Sequence, residues 1–196
     1  ISFHSKNLSE VNFFEVSQKQ SLKVFQLKTN GSNLITHNKR FDFNSKHNLP
    51  SLVNAKTLKI HMQGGAMGNL ARAKINGVQK DFRSLAMKDK KLWAFNKEIG
   101  SYEKSLLRIK RNEVLIIDIW NDTRWPHSMH LHGHHFFVKS KEFKNVNDYF
   151  LRDTYLMQAG EKTKLIVIAD NPGKWLFHCH MLEHAASGMV AYLEVI

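Results

Sequence analysis

Hydrophobic and polar residues alternate in short runs along this chain, and residues that favour turns separate the runs. Alternation with a period of two is typical of β-strands, because successive side chains of an extended chain project to opposite faces. No long stretch has the period of an amphipathic helix. The pattern predicts strands at Val11–Val16, Leu22–Leu27, Leu58–Met62, Leu106–Ile109, Glu113–Trp120, His135–Val138, Lys164–Ala169, Trp175–His178 and Met189–Val195.

Many short strands with polar connections are typical of an all-β sandwich or barrel. The longest apolar stretch, Val114 to Trp120, is interrupted by Asp118. It is far shorter than the ~20 residues that a membrane helix needs. We therefore expect an all-β fold without a membrane span.

A break in composition near residues 61–68 predicts a linker, because this segment is rich in glycine and poor in strand-forming residues. The part after it, about 69–196, is long enough for one complete β-sandwich. The part before it, about 1–60, contains two or three clear strands and would make a poor core alone. We interpret it as a remnant or the end of a preceding domain.

The net charge indicates less about function than the distribution of the histidines does. The 29 Lys and Arg exceed the 17 Asp and Glu, which gives a formal charge of +12. The cations are spread along the chain and do not interleave with aromatic residues, so they favour a solvated surface over a nucleic-acid site. The single cysteine excludes an intramolecular disulfide. Eight of the twelve histidines lie between His127 and His184, and the cysteine lies there too.

The first histidine cluster runs from His127 to His135. Residues two apart share a face of an extended chain, so His130 and His132 are expected to point the same way. His127 is then free to serve a separate centre. A surface accident is the alternative for this cluster taken alone.

The second cluster surrounds Cys179. In a strand, His178 and His180 face one side and Cys179 faces the other. Cys179, His184 and Met189 would supply a thiolate, an imidazole and a thioether. With His127 they complete two His, one Cys and a weak axial Met, the ligand set of a blue copper site.

Soft sulfur ligands favour copper, whereas the oxygen ligands that suit Mg²⁺ or Ca²⁺ are lacking from these motifs. Tetrahedral zinc is the alternative metal. A zinc site has no use for Met189, nor for the paired histidines that flank Cys179.

The spacing of these residues resembles the two C-terminal copper motifs of multicopper oxidases, the family of laccases and copper-efflux oxidases. Flanking sequences at 93–96 and 170–175 look like those of bacterial three-domain members, and the resemblance covers about residues 69–196 well. It implies a cupredoxin-like Greek-key β-sandwich or barrel. The residues that carry it are His127-x-x-His130-x-His132 and His178-Cys179-His180-x-x-x-His184-x-x-x-x-Met189.

Carried over position by position, the resemblance implies a type 1 copper held by His127, Cys179, His184 and Met189. It implies a type 2 copper held by His130, and a type 3 pair held by His132, His178 and His180. The family's trinuclear cluster uses eight histidines, and only half of them are encoded here. A missing N-terminal domain or a second chain that supplies four His is therefore the expected partner.

Several residues near these motifs have expected roles of their own. Glu183 resembles the family's acidic residue near the oxygen-reducing cluster and is the candidate for proton delivery, with an exposed structural Glu as the alternative. Asp153 is expected either to orient a ligand histidine or to cap a strand. His134 and His135 are expected to pack near the ligands without binding metal. The remaining histidines fit no ligand spacing and are expected at the surface: His4, His37, His47 and His61.

The expected function is that of a laccase-like multicopper oxidase, which couples one-electron oxidation of phenols or metal ions such as Cu(I) to reduction of O2 to water. The expected location is the periplasm or another exported compartment. A stand-alone type 1 copper electron-transfer or copper-binding protein is the alternative, but it leaves four histidines without a purpose. A copper nitrite reductase is disfavoured by the short interval between Cys179 and His184 and by the second flanking His180.

Overall fold

A computed structural model describes residues 10–15, 21–28, 48–139 and 149–196. These residues form short strands and two short helices, and no helix among them is long and apolar enough to cross a membrane. The elements are β1 (Glu10–Glu15), β2 (Leu22–Lys28), β3 (Lys56–Gly64), β4 (Arg72–Ile75), β5 (Val78–Asp81), α1 (Phe82–Met87), β6 (Trp93–Phe95), β7 (Ser105–Ile109), β8 (Val114–Asn121), β9 (His127–Leu131), β10 (Phe136–Lys139), β11 (Tyr149–Arg152), β12 (Thr154–Met157), β13 (Lys162–Ile168), β14 (Gly173–Cys179), α2 (Leu182–Ala186) and β15 (Val190–Val195).

Two sheets make up the main body of the fold. One has six strands in the order β11-β10-β13-β8-β3-β6, and the other has five in the order β12-β9-β14-β15-β7. The pairs β3 with β8 and β15 with β7 are parallel, while the other pairs in these sheets are antiparallel. The expectation of an all-β sandwich is confirmed.

The core lies between the two sheets. Residues of β8 alternate strictly between partly exposed and buried, so Leu115, Ile117 and Ile119 project inward. Phe177 and Met129 project inward from the opposite sheet and join the same buried cluster. The period-two alternation gives each sheet one apolar face. The two sheets pack together because this buries both apolar faces.

The boundary between units lies earlier than the sequence suggests. Two compact units divide at residues 46 and 47, and β3 lies in the second. Residues 61–64, expected in a linker, pair with β8 and β6 as part of β3. The glycines of this segment end the strand: Gly64 and Gly65 both have positive φ. The unit that carries the metal motifs therefore includes a central strand from before residue 69.

In the first unit, the structure describes an antiparallel hairpin of β1 and β2 with an irregularity at Phe13 and Phe14. The expected strands at 11–16 and 22–27 coincide with it, except that Val16 lies outside the described residues. A lone two-stranded hairpin is marginal in water. We keep the interpretation of this segment as the end of a preceding domain as a prediction.

Candidate metal centre

Three adjacent strands, β12, β9 and β14, bring the two histidine clusters together. His178 on β14 lies directly opposite His130 on β9, and Cys179 lies opposite Met129. Residues opposite each other in a ladder share a face, while their chain neighbours take the other face. His130 and His178 therefore share one face of the sheet, and Cys179 projects from the other face into the core with Met129.

The core-facing set consists of His127, Cys179 and His184. Nδ1 of His127 lies 3.1 Å from Nδ1 of His184. The Sγ atom of Cys179 lies 3.7 Å from the first of these nitrogens and 3.6 Å from the second. His127 and Cys179 are fully buried, and His184, on α2, is half-buried.

Burial controls the protonation of this set. Desolvation, followed by repulsion from His184, lowers the pKa of His127 to about 3. Burial also lowers the pKa of His184, with Glu183 acting weakly in the opposite sense. It raises the pKa of the Cys179 thiol. At neutral pH the metal-free set therefore holds neutral imidazoles and a protonated thiol.

Two further residues enclose this set. Met189 is fully buried; its carbonyl accepts from the Cys179 N–H (3.1 Å) and its own N–H donates to the His184 carbonyl (2.9 Å). The ring of Trp93 lies with its centroid 4.7 Å from those of His127 and His184. Its indole Nε1 is buried and has no hydrogen-bond partner among the residues described. Met189 and Trp93 thus cover the buried donors His127 and Cys179, while His184 stays half-buried.

The second set, called the exposed set below because it lies on the sheet face away from the core, contains imidazoles alone. His130, His132 and His178 each place one ring nitrogen within 4.8 Å of the others. The closest approach is 2.9 Å, between Nε2 of His132 and Nε2 of His178. His180 lies outside this distance limit, with its ring centroid 5.4 Å from that of His130. Burial is the main cause that lowers the pKa of His132 and of His178.

Hydrogen bonds on the far side of each ring fix which nitrogen is available. Nδ1 of His130 donates to the backbone carbonyl of Asp153 (2.8 Å) or the hydroxyl of Thr154 (2.9 Å). Nδ1 of His178 donates to the carbonyl of Cys179 (2.9 Å). A ring whose Nδ1 carries the proton presents the Nε2 lone pair to a metal. Asp153 thus contacts its histidine through the backbone, and its side chain is exposed.

Sequence reasoning missed Asn121 and Thr123, two buried polar residues behind His127. The Thr123 hydroxyl lies 2.9 Å from Nε2 of His127 and 2.7 Å from Oδ1 of Asn121. The available signal was Asn121 itself, which occupies the next inward position after Ile119 on β8. A polar residue at the end of an apolar row requires a buried partner.

The turn after β9 is held by the turn that precedes β14. His134, expected to pack near the ligands, is buried with its ring edge on Trp175. Its Nε2 accepts from the Asn171 N–H (3.3 Å), and the Asn171 side chain donates to the Gly133 carbonyl (3.1 Å). The Trp175 indole donates to the Asn171 carbonyl (2.8 Å). These contacts fix the turn that carries His132.

The other predicted residues belong to neither donor set. Glu183 is exposed on the first turn of α2, and His135 is exposed beyond the turn after β9. His61 is partly buried, lies 2.8 Å from the Asp122 carboxylate through Nε2 and stacks on Trp120 at 4.3 Å. Three histidines expected at the surface lie outside the described residues: His4, His37 and His47.

The donor chemistry of both sets fits copper. A thiol and two imidazole nitrogens converge within 3.7 Å in a dry pocket, which suits a soft, tetrahedral or trigonal ion. Three imidazoles converge on the other face, which suits a nitrogen-preferring transition metal. Neither of these sets contains the carboxylate oxygens that Mg²⁺ or Ca²⁺ prefers.

Comparison with solved structures identifies the class of fold as a cupredoxin-like domain. The McoA multicopper oxidase of Aquifex aeolicus aligns with a TM-score of 0.54 at 22% identity, over 77% of this chain and 31% of that one. The family model described as multicopper oxidase matches residues 75–196, more than half of the chain. The chain belongs to the multicopper oxidase family, whose cofactor is copper.

Sequence relatives agree with this assignment. The iron multicopper oxidase fer1 of Mycosarcoma maydis is 35% identical over 112 residues, 50% of this chain and 18% of that protein. The multicopper oxidase MmcO of Mycobacterium tuberculosis is 33% identical over 106 residues, 53% of this chain and 20% of that protein. This chain therefore spans about a fifth of the length of the relatives that it matches.

Proposed function

We propose that this chain supplies an electron-accepting copper site and half of an oxygen-reducing copper cluster to a laccase-like multicopper oxidase. The enzyme would couple one-electron oxidation of phenols or of metal ions such as Cu(I) to reduction of O2 to water. His127, Cys179, His184 and Met189 would hold the first copper. His130, His132, His178 and His180 would contribute to the cluster.

A single observation carries this proposal: consecutive residues of β14 belong to donor sets of different chemistry. On the core face, Sγ of Cys179 lies 3.6 Å from Nδ1 of His184. On the other face, Nε2 of His178 lies 2.9 Å from Nε2 of His132. One peptide unit therefore separates a sulfur-containing site from an all-nitrogen site. A protein that needed one metal alone would have no use for the second set.

Bound copper supplies one-electron redox chemistry, alternating between Cu(I) and Cu(II). The residues of the chain control access to the metal sites and fix which ring nitrogens can bind metal. His184, which is half-buried, would give a reductant access to the core-facing site, while His127 and Cys179 are fully buried. The backbone carbonyls of Asp153 and Cys179 hold His130 and His178 in fixed tautomers. Glu183 would deliver protons to the oxygen-reducing cluster.

The exposed set needs a complement. His132 and His180 are exposed and His130 is partly exposed, although imidazoles that share a metal cluster are normally enclosed. We propose that a preceding domain or a second chain covers this face and adds four histidines. We further propose that the protein acts in the periplasm or another exported compartment; cell fractionation would test this.

The experiment compares the chain alone with the chain joined to, or mixed with, the complementary domain. We expect the chain alone to bind copper with a visible thiolate band but to lack oxidase turnover, and the assembly to consume one O2 per four electrons from a phenol or Cu(I). Four-electron oxygen consumption by the chain alone would contradict the proposal.

Copper counting separates the alternative function. We expect replacement of His130 and His178 by Asn to lower copper stoichiometry and leave the thiolate band in place. The matched control is His135→Asn, because His135 is exposed nearby and lies in neither set. Unchanged stoichiometry in the double variant would instead favour a stand-alone electron-transfer protein.

A further inference from the structure

A chain of buried polar groups lies behind His127 at the end of β8. Asn121 and His127 are fully buried, and Thr123 is 4% exposed. Burial of a polar group is costly unless the group has a hydrogen-bond partner. The donors and acceptors of these three residues must therefore find their partners within the protein. Their proton positions follow from their contacts.

The orientation of the Asn121 amide is fixed first. Its Nδ2 atom donates to the Trp125 carbonyl (2.8 Å) and to the Gln158 carbonyl (2.9 Å), which uses both amide protons. Its Oδ1 atom accepts from the Thr123 backbone N–H (3.1 Å). The reversed amide would set its N–H groups against another N–H and its oxygen against two carbonyls. The atom nearest the Thr123 hydroxyl is therefore oxygen.

The single proton of the Thr123 hydroxyl is fixed next. Two oxygen acceptors lie near its Oγ1 atom, Oδ1 of Asn121 at 2.7 Å and the Trp125 carbonyl at 3.0 Å. The shorter contact requires a proton between the two oxygens, which only the hydroxyl can supply, and donation to either oxygen leaves no hydroxyl proton for His127. The lone pairs of Oγ1 then accept from the Trp125 N–H (3.2 Å) and from Nε2 of His127 (2.9 Å). Nε2 must carry its own proton.

We infer that Asn121 and Thr123 are positioning residues that hold His127 in the tautomer with its proton on Nε2 and its Nδ1 lone pair facing Cys179. The Sγ atom of Cys179 and Nδ1 of His184 both lie on that side of the ring, at 3.7 Å and 3.1 Å. Asn121 acts through Thr123, and Thr123 acts through the ring.

The same logic gives the opposite result in the exposed set. There the acceptors lie beside Nδ1 of His130, so that Nε2 is the nitrogen left for metal. The two sets thus present different ring nitrogens because their hydrogen-bond acceptors lie on different sides of the rings. For His127, the described residues place Thr123 alone at Nε2.

Nitrogen-15 NMR of the metal-free full chain tests the tautomer directly. We expect His127 to be protonated on Nε2 in the wild type and in Thr123→Ser, and to shift towards the Nδ1 tautomer in Thr123→Val. Thr163→Val is the matched control, because Thr163 lies on β13 and, among the residues described, makes no side-chain hydrogen bond to Asn121, Thr123 or His127. A wild-type ring protonated on Nδ1 would overturn the inference, even if Thr123→Val failed to fold.

Cobalt(II) titration tests the consequence for metal binding, which rests on the proposed function. Cys179 is the single cysteine, so a thiolate-to-cobalt absorption band reports its site alone. We expect Thr123→Val to weaken cobalt affinity about 10- to 100-fold, with Thr123→Ser and Thr163→Val close to wild type. Tautomer and affinity must change together, and a change in one without the other overturns the positioning role. A wild-type chain without any thiolate band would reject the proposed copper site while leaving the tautomer result intact.

Discussion

Cys179 and His178 are consecutive residues of β14, yet they belong to different donor sets on opposite faces of one sheet. The sulfur of Cys179 lies 3.6 Å from Nδ1 of His184, and Nε2 of His178 lies 2.9 Å from that of His132. The alternation that builds the sandwich also separates the two sites by a single peptide unit. A side-chain substitution on one face of β14 therefore removes a donor from one set only.

Metal affinity at the Cys179 site should rise about tenfold per pH unit between pH 6 and 8. Burial raises the pKa of the Cys179 thiol, so metal binding must displace one proton. His127, with a pKa lowered to about 3, binds no competing proton in this range. Cobalt titrations at three pH values, read from the thiolate band, give the slope. An affinity that does not change with pH would mean that the thiol is already ionised. An affinity that rises about a hundredfold per pH unit would mean that a histidine also releases a proton on metal binding.

The metal-free protein should lose stability as the pH falls from about 6.5 towards 3. In this window the unfolded His127 binds a proton and the folded one does not, so unfolding is favoured by up to about 1.4 kcal/mol per pH unit for this residue. His134, His178 and His184 also have lowered pKa values and act in the same direction. Urea unfolding at pH 7, 5.5 and 4.5 measures the slope. His127→Gln should reduce that slope by about one proton, whatever it does to stability at pH 7.

Gly133→Ala should destabilise the protein more than Gly160→Ala. Both glycines have positive φ, 67° and 75°, so each substitution introduces comparable backbone strain. A Cβ at Gly133 would lie 2.3 Å from the Trp175 ring, whereas one at Gly160 would meet nothing within 4 Å among the residues described. Overpacking adds about 1–3 kcal/mol. Equal losses in urea unfolding would show that Trp175 yields freely and does not hold the turn that carries His132.

Asp153→Ala should leave copper stoichiometry at the exposed set unchanged and its affinity within about twofold, because Asp153 contacts His130 through its backbone carbonyl. Thr154→Val removes the other acceptor at the same nitrogen and should have a modest effect, since the carbonyl remains. Competition with a copper chelator measures both. A large loss in Asp153→Ala would assign the side chain a direct role.

Glu183→Gln should slow oxygen reduction by the assembled oxidase about 10²- to 10⁴-fold if Glu183 supplies protons. Reduction of the Cys179 site by substrate, followed in the absence of oxygen through the thiolate band, should stay at the wild-type rate. Glu194→Gln is the matched control, because Glu194 pairs with Arg108 on β7 outside both donor sets. An oxidase rate unaffected by Glu183→Gln would leave Glu183 as an exposed helix residue.

Strand alternation made the fold class and the separation of Cys179 from His178 predictable. The pairing of β3 with β8 was not, because it joins residues about 60 positions apart and because glycines at the end of β3 resemble a linker. Asn121 and Thr123 were missed because Asn, Asp and Thr in succession resemble a turn. Their role depends on burial, which a local sequence window does not show.

Consider a folding error in which β14 pairs with β9 one residue out of register. Side chains alternate with a period of two, so the slip would turn Cys179 out of the core and place the imidazole of His178 among the apolar core residues. Phe177 would leave the core at the same time. The apolar contacts that select the native register therefore also select the correct metal ligands. A chain with misplaced ligands would expose core residues and would be degraded by quality-control proteases.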